Sequence, residues 1–580
     1  MPAQTDNFRR GYITVATLFA LVAVVRVLSS YSRTAQGFDE PCHVASAIEL
    51  LDKGTYTLDP VHPPLARIAI GLPLYVAGER YPRLSSADSN NYNVVGDAIL
   101  NHSEHYLRNL KLARLGVLPF LLLGSVVVLL WTRREYGSLA ATAAVALFTT
   151  LPMVLAFSSL AYTDIVAASA QAAAFWAFAT WLDEGTKRSA VWMGIVVGLA
   201  LLAKATTCIF LPAAALSMVV LKLAIGRFKK APQSLAFIPV TRQVAIAGAI
   251  AIAGVWAGYG FSVGHVRESM QLYPESMPSF QHFPAPVGKI ARQLILSDPR
   301  VPAPALIRGL AMVWVLNDSH PPAYLLGHIR QGGWWYFFLI GLGVKSPIPF
   351  LILVVAGLVA SAKFASEGRW TALTPAVCAL ATLLVTMPVK YNAGVRHVLV
   401  VFPLLAIVAG YGCSYLWNSA KHLREWPLAW GRAALVALLF WQFVVTVRAS
   451  SDYIAYFNPL AGSDPSRVLV AGCDLDCGQD LFALSSELHA RGVSHATLAL
   501  WTSADLSKMG FPQFDVPHPY QPVTGWFAIS FRALRFGDVF HNTYPPGAFA
   551  WLSRYQPVAR VGKTILLYRI PESPAGSKSE

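Results

Sequence analysis

The 580-residue chain is short of charge: Asp, Glu, Lys and Arg make up 13% of it, against 55% hydrophobic residues. A water-soluble domain carries roughly twice that charged fraction, so the composition excludes an ordinary soluble globular protein. Cysteine is scarce too. Cys42, Cys208, Cys378, Cys413, Cys473 and Cys477 are too few and too dispersed for a disulfide framework, and only the last two lie close enough to discuss as a pair. In an oxidising outer compartment the favoured state is a Cys473–Cys477 bond. Nucleotide-binding signatures are missing, with neither GxxxxGK[ST] nor a Gly-rich Rossmann turn. Strong internal repeats and a two-half hydropathy symmetry are missing as well. Acids are outnumbered, 31 against 46 Lys and Arg, for a net charge of +15. These cations fall in short clusters between apolar runs, as the positive-inside rule places them, so they indicate topology and anionic lipid rather than nucleic acid.

What the chain has is long apolar runs. A span needs roughly 20 such residues to cross about 30 Å of hydrocarbon. Candidates lie near 11–30, 111–131, 138–157, 163–182, 189–203, 207–224, 243–262, 337–361, 371–388, 396–417 and 431–448. The expected fold is therefore mostly α, a polytopic membrane protein of about eleven helices, with 1–449 forming the transmembrane region. The first span has no small-residue cleavage site and reads as an uncleaved helix. "WTRREYG", "GRFKKAPQ", "SAKFASEGR" and "AKHLREWPLAWGR" are short or basic and are assigned to the cytoplasm, which puts the long loops 31–110 and 263–333 outside. "SAIELLDKG" and "PPLARIAIGLPLYVAG" in the first loop read as helices lying at the interface, and "GGWWYFF" as an aromatic belt. From 450 to 570, strand-like runs such as "RVLVAG", "HATLALW", "GWFAISF" and "KTILLYRI" around a helical "DLFALSSELHARG" predict a small α/β extracytoplasmic domain, followed by a disordered tail at 571–580.

Chemistry is sought where charge sits against this pattern. Asp39 and Glu40 lie just past the outer end of the first span, where a carboxylate can act as general base on an acceptor and partial burial raises its proton affinity. Asp164 opens the fourth span on the same side; Thr163 or Asp164 also suits helix capping. Lys204 interrupts an apolar turn, and Lys345 sits about ten residues into an apolar aromatic run, where it must snorkel or find an anion. Arg396 and His397, with Lys390 nearby, form a cationic cluster at an outer boundary, against the positive-inside expectation. A lipid-borne phosphate suits such cations, Arg by paired hydrogen bonds and Lys by charge. His62 and His320 each begin "HPP", where the prolines also serve simply to shape loops. Asn101 and Asn317 fit the glycosylation tripeptide.

The ordered set "FDEPCHVASAIELLDKG", "HPPLARI", "LAYTD", "GLALLAKATT", "YLLGHIRQGGWWYFFLIGLGVKSPIP", "YNAGVRHVLVVFPLL", "YIAYFNPLAG" and "DLDCGQDL" resembles membrane glycosyltransferases of the GT-C fold. It is most similar to bacterial members of glycosyltransferase family 39, relatives of the dolichyl-phosphate-mannose protein mannosyltransferases and the lipid A aminoarabinose transferases. The resemblance implies inverting transfer of a sugar from a polyprenyl-phosphate carrier to a protein, lipid or glycan acceptor at the outer face of the inner (plasma) membrane. It implies catalytic roles for Asp39, Glu40 and Asp164, phosphate binding by Lys204, Lys345, Arg396 and His397, and substrate contacts from His62, Arg67, His320 and Tyr391. Some relatives use a divalent metal, for which His320 or His43 with Glu40 would supply ligands, although no metal-ligand spacing is visible. "DLDCGQD" carries Cys477 where the family pattern usually has Trp. Competing readings are a polyprenyl-linked sugar transporter or flippase and a non-catalytic envelope-assembly factor. The first is disfavoured because the charges gather at one membrane face instead of the midplane, and the second would tolerate loss of Asp39.

Overall fold

A backbone inside lipid has to satisfy its own hydrogen bonds, which leaves helices as the form for long apolar runs. The structure, a computed structural model, describes residues 2–228, 237–266, 296–419, 425–470, 472–537 and 544–572, with three isolated positions between 288 and 293. Residues 573–580 of the expected tail and nearly all of "MPSFQHFPAPVG" lie outside the described residues. Helix α1 (Pro2–Ser30) leads to three short helices, α2 (Glu40–Ile48), α3 (Pro64–Val76) and α4 (Tyr92–Leu100). There follow α5 (Tyr106–Tyr136), α6 (Ser138–Phe148), α7 (Pro152–Ser158), α8 (Asp164–Glu184), α9 (Lys187–Ala203), α10 (Thr207–Phe228) and α11 (Phe237–Gly258). After the second long loop, with its helix α12 (Pro304–Asp318), come α13 (Phe337–Lys345), α14 (Ile348–Glu367), α15 (Thr374–Thr386), α16 (Val401–Ser419) and α17 (Glu425–Ala449).

Among the described residues, eight helices are long and apolar enough to cross a bilayer, or nine if the bent pair α6 and α7 counts as one span. The chain is thus a polytopic helical membrane protein, and with the bent pair taken as one span, two of the about eleven expected spans fall outside this set among the described residues. Helix α9 has 17 residues, about 25 Å at 1.5 Å each and short of the hydrocarbon thickness. The expected span 371–388 is a 3-10 turn, Trp370–Leu373, followed by the 13 residues of α15. The expected span 337–361 is cut at Pro347, which has no N–H to continue the ladder, into a 9-residue α13 and a 20-residue α14, so its spanning helix moves to Ile348–Glu367 with no span lost. Pro152 likewise opens α7 after a 63° bend.

At one face of the bundle Arg134 of α5 pairs with Asp183 at 3.0 Å and Glu184 at 3.2 Å, at the end of α8. The opposite face carries the short helices of the first loop. Helix α3 leaves Leu72 and Val76 exposed, an apolar stripe of the kind expected of an interfacial helix. Where it crosses α5 the backbones nearly touch: a Cβ on Gly116 would fall 1.8 Å from the carbonyl oxygen of Ala69.

A buried ion pair fixes the start of α2. Arg114 of α5 donates to both carboxylate oxygens of Glu40, from Nε at 2.8 Å and Nη2 at 2.7 Å, and neither side chain is exposed. Glu40 also accepts from the backbone N–H of Gly37 and Ala161, each at 2.7 Å, while Arg114 donates to the carbonyls of Tyr31, Thr34 and Ala35. One carboxylate therefore joins the first loop, α5 and the segment before α8.

Past α17, helix α18 (Leu481–Ala490) packs beside a mixed five-stranded sheet built from β5 (His495–Ala499), β6 (Gln513–Asp515), β7 (Gly525–Ser530), β8 (Ala559–Val561) and β9 (Ile565–Ile570). Its order is β6-β5-β7-β9-β8, with β5 parallel to β6 and β7 and the β7–β9 and β9–β8 pairs antiparallel. Strands β1 to β4 form two small antiparallel pairs in the second long loop, Val263–His265 with Arg300–Pro302 and Pro322–Leu325 with His328–Gln331.

Removing one member of a buried ion pair leaves the other charge uncompensated, at a cost of about 3–5 kcal/mol. Arg114→Met is expected to lower the thermal unfolding midpoint of the detergent-solubilised protein strongly. Arg134→Met, at a partly exposed pair, is expected to shift it little, and equal shifts would contradict this account.

Candidate active site

The site residues sit at helix ends, where backbone polarity and charge can face a common space. Asp39 flanks the N-terminus of α2 yet its side chain makes no capping bond, and Thr163 makes none at the start of α8. The capping alternative therefore does not account for these positions. Asp39 instead receives a hydrogen bond from Arg396 Nη1 at 2.6 Å, and Asp164 one from Lys204 Nζ at 2.5 Å. Arg396 and His397 lie in a 3-10 turn, Val395–Val398, ahead of α16, and Lys204 directly follows α9. Tyr162 ties the two acids together. Its hydroxyl accepts from the Asp39 N–H at 2.9 Å and its ring lies 5.1 Å from the Arg396 guanidinium carbon.

Beside this cluster is a second layer. His62 Nδ1 is 2.7 Å from Asp59 Oδ2, and Arg67 Nη2 is 3.5 Å from the same oxygen. Arg67 also donates from Nε to the His62 carbonyl at 3.0 Å and stacks 3.8 Å over Tyr56. The His43 ring meets His62 edge-on at 4.8 Å.

A cavity of about 490 Å³ runs from this cluster between α10, α12 and α15. Its walls are mostly apolar, with Ile209, Leu310, Trp314 and Val385 among them, and its polar lining includes Lys204, His62, Asn317, Tyr391 and His397. His397 is half-buried and its buried Nε2, like Arg396 Nε, has no hydrogen-bond partner among the described residues. His397 thus shares the lining of an oily chamber with Lys204, and Arg396 is its neighbour in the chain.

Electrostatics follow from burial and cations. Burial would raise the Asp39 carboxyl, but Arg396, aided by His43, overrides it and holds the group below the usual carboxylate range. Burial pushes His397 well below its ordinary value, and the neighbouring Lys204 and Arg396 charges push it the same way, so its imidazole is neutral. Burial and His62 push His43 down to about 3.

Four of the expected site residues, His62, Lys204, Tyr391 and His397, line the cavity, and Arg396, Asp39 and Asp164 connect to them. Arg67 stands behind His62. Three lie elsewhere. The structure gives Glu40 no reacting position, since both oxygens are held by Arg114 and backbone N–H groups. Lys345 is fully buried, donating to the carbonyls of Ile454 at 2.6 Å and Asp474 at 2.5 Å, so backbone dipoles replace the expected phosphate. His320 is exposed and contacts Lys390. Glu40 and His320 are accordingly poorly placed as metal ligands. The one described group with clustered ligand atoms is Cys42, His43 and Asp59, all within 4.8 Å. It fits a divalent ion badly, because Asp59 Oδ2 is already engaged by His62 and faces the Arg67 guanidinium. Cys473 and Cys477 are joined, and their sulfurs lie 3.4 and 3.2 Å from the Tyr162 hydroxyl.

Residues 109–246 match the family model for dolichyl-phosphate-mannose-protein mannosyltransferase, a stretch that includes Asp164 and Lys204 and agrees with the resemblance read from the motifs. No curated protein matches. Among solved structures, the chain is similar to ArnT from Cupriavidus metallidurans bound to undecaprenyl phosphate, at 14% identity and TM-score 0.43, covering 95% of this chain and 97% of that one. It is similar to the apo state of the same protein at 14% identity and TM-score 0.45, covering 96% and 98%. It is also similar to the archaeal oligosaccharyltransferase AglB from Archaeoglobus fulgidus in complex with an inhibitory peptide and a dolichol-phosphate, at 12% identity and TM-score 0.46, covering 90% and 70%.

Because Lys345 is fully buried and spent on backbone carbonyls, Lys345→Met is expected to lower the thermal unfolding midpoint of the detergent-solubilised protein clearly more than Lys187→Met at an exposed position; equal shifts would contradict this placement.

Proposed function

We propose that this chain is a membrane glycosyltransferase that moves a sugar, with inversion, from a polyprenyl-phosphate carrier to a hydroxyl or amine acceptor at the extracytoplasmic face. The observation that carries this reading is the union of one apolar cavity with a polar end that holds Lys204: a prenyl chain suits the walls, and its phosphate suits the Lys204 ammonium and an N–H of His397, with Arg396 adjacent in the chain. The match to the mannosyltransferase family supports the reaction class. The Arg134 cluster on the opposite face suits a cytoplasmic side under the positive-inside rule, which puts the cavity's polar end outside.

The geometry supports a division of labour. Asp39 takes the acceptor proton as the acceptor oxygen or nitrogen bonds to the anomeric carbon, while the bond from that carbon to the phosphate oxygen breaks and its electron pair leaves with the carrier. Arg396 links the two events. In the free protein it holds Asp39 ionised, which also makes Asp39 a weak base. A phosphate arriving beside Arg396 Nε competes for the guanidinium charge, so Asp39 gains proton affinity only when donor is present. Asp164 keeps Lys204 aimed at the chamber.

The test is transfer of label from a panel of undecaprenyl-phosphate sugars, mannose included, to envelope acceptors by the purified full chain. Asp39→Asn should slow transfer roughly 10²- to 10⁴-fold. Removing the Arg396 charge leaves burial unopposed at Asp39, so Arg396→Gln should move the acid limb of the pH–rate profile upward. Carrier binding without transfer from any donor, with Asp39→Asn retaining the cellular role, would replace this reading by a transport or assembly role.

A further inference from the structure

The segment that delivers Asp39 is held by the far end of the chain. Ala35 N–H donates to the Gln479 carbonyl at 3.1 Å and Phe38 N–H to the Cys477 carbonyl at 3.0 Å, both in the "DLDCGQD" loop. Ser503 Oγ donates to the Phe38 carbonyl at 2.6 Å. The Phe38 ring stacks flat on Trp501, centroids 4.1 Å apart and planes 1° from parallel. Trp501 is itself covered by the Arg532 guanidinium at 3.9 Å.

The sheet explains this convergence. Strands β5 and β7 are parallel, so their carboxyl ends point the same way, and Trp501 and Arg532 follow those two ends directly. Loops at the carboxyl ends of parallel strands are where such sheets commonly place binding groups. Here the Trp501 ring, with Arg532 over it, is stacked on the molecule's own Phe38, one residue before the acid. The Trp501 N–H donates to Ser530 Oγ at 3.2 Å and the Arg532 N–H to Asp476 Oδ2 at 3.1 Å, which tie both stacking partners to the sheet and the "DLDCGQD" loop. On the other side of that loop, Gly472 meets the arginine-bearing turn so closely that a Cβ would fall 1.5 Å from the Ala393 carbonyl oxygen. The same region therefore abuts both members of the Asp39–Arg396 pair.

We propose that the C-terminal region is a clamp that sets the position of Asp39, with Trp501 as the positioning residue acting through Phe38. Trp501 does not line the carrier cavity, so it governs where the base stands and not how the donor is held. The proposal rests on the transferase reading for its catalytic consequence, but its mechanical part stands apart from it.

The experiment compares wild type, Trp501→Ala, Trp501→Phe and Ser503→Ala of the full chain in detergent. Hydrogen exchange by mass spectrometry reports on residues 34–48, stabilisation by undecaprenyl phosphate reports on the cavity, and steady-state transfer from undecaprenyl-phosphate mannose reports on chemistry. Trp501→Ala should raise exchange in residues 34–48 at least tenfold while leaving α8 and α16 protected. Undecaprenyl phosphate stabilisation should be unchanged. Because a small misplacement of a catalytic group costs up to about 100-fold in rate, kcat should fall between tenfold and that limit with the donor KM constant. Trp501→Phe, which keeps a flat ring, should restore both exchange and kcat. Unchanged exchange at 34–48 in Trp501→Ala overturns the clamp, whatever the activity; so does a donor KM that rises while kcat holds. If wild type fails to transfer mannose, the sugar or the reaction class is wrong, and the exchange pattern still decides the clamp. If Trp501→Ala does not fold, Ser503→Ala decides: a local rise in exchange at 34–48 supports the clamp, and none overturns it.

Discussion

Everything at the candidate site hangs on one buried carboxylate. Glu40 gathers Arg114, the Gly37 amide and the Ala161 amide into a single knot, and that knot sets the distance between the first loop, helix α5 and the turn that leads into Asp164. An ion pair without exposure earns little net stability against apolar side chains of the same volume. Its value here is directional. Two oxygens with fixed lone pairs specify where three chain segments meet, which a cluster of leucines could not do. Asp39, one residue earlier, inherits its place from that constraint and is free to face Arg396.

The adjacency of Asp39 and Glu40 shows the limit of reading function from residue type. The two acids are chemically alike and share a motif, yet one is a structural tether and the other points toward the cationic turn. Lys204 and Lys345 make the same contrast. Each interrupts an apolar stretch, which is a sound signal that a charge has an unusual partner. Whether the partner is Asp164 beside a cavity or a pair of backbone carbonyls depends on contacts from elsewhere in the chain, Ile454 and Asp474 in the case of Lys345.

The helical membrane architecture was legible from hydropathy, and the site's main cations from their position against the charge pattern. Span number was less so, because prolines such as Pro152 break an apolar run without changing its composition. Arg114 carried a signal that went unused, being the last charge before a long apolar stretch. Trp501 and Arg532 carried none, since stacking has no sequence period and 465 residues separate Ser503 from Phe38.

The cavity walls have a consequence for any ligand that uses them. Ile209 and Leu310 line the chamber and are also among the exposed apolar side chains of the helices around it. A ligand entering past such residues comes from the hydrocarbon phase, so its effective concentration is a mole fraction in lipid or detergent. Its apparent affinity then falls as detergent is added at constant total ligand, by surface dilution. An acceptor arriving from water obeys ordinary bulk molarity, and the two saturation curves belong on different axes.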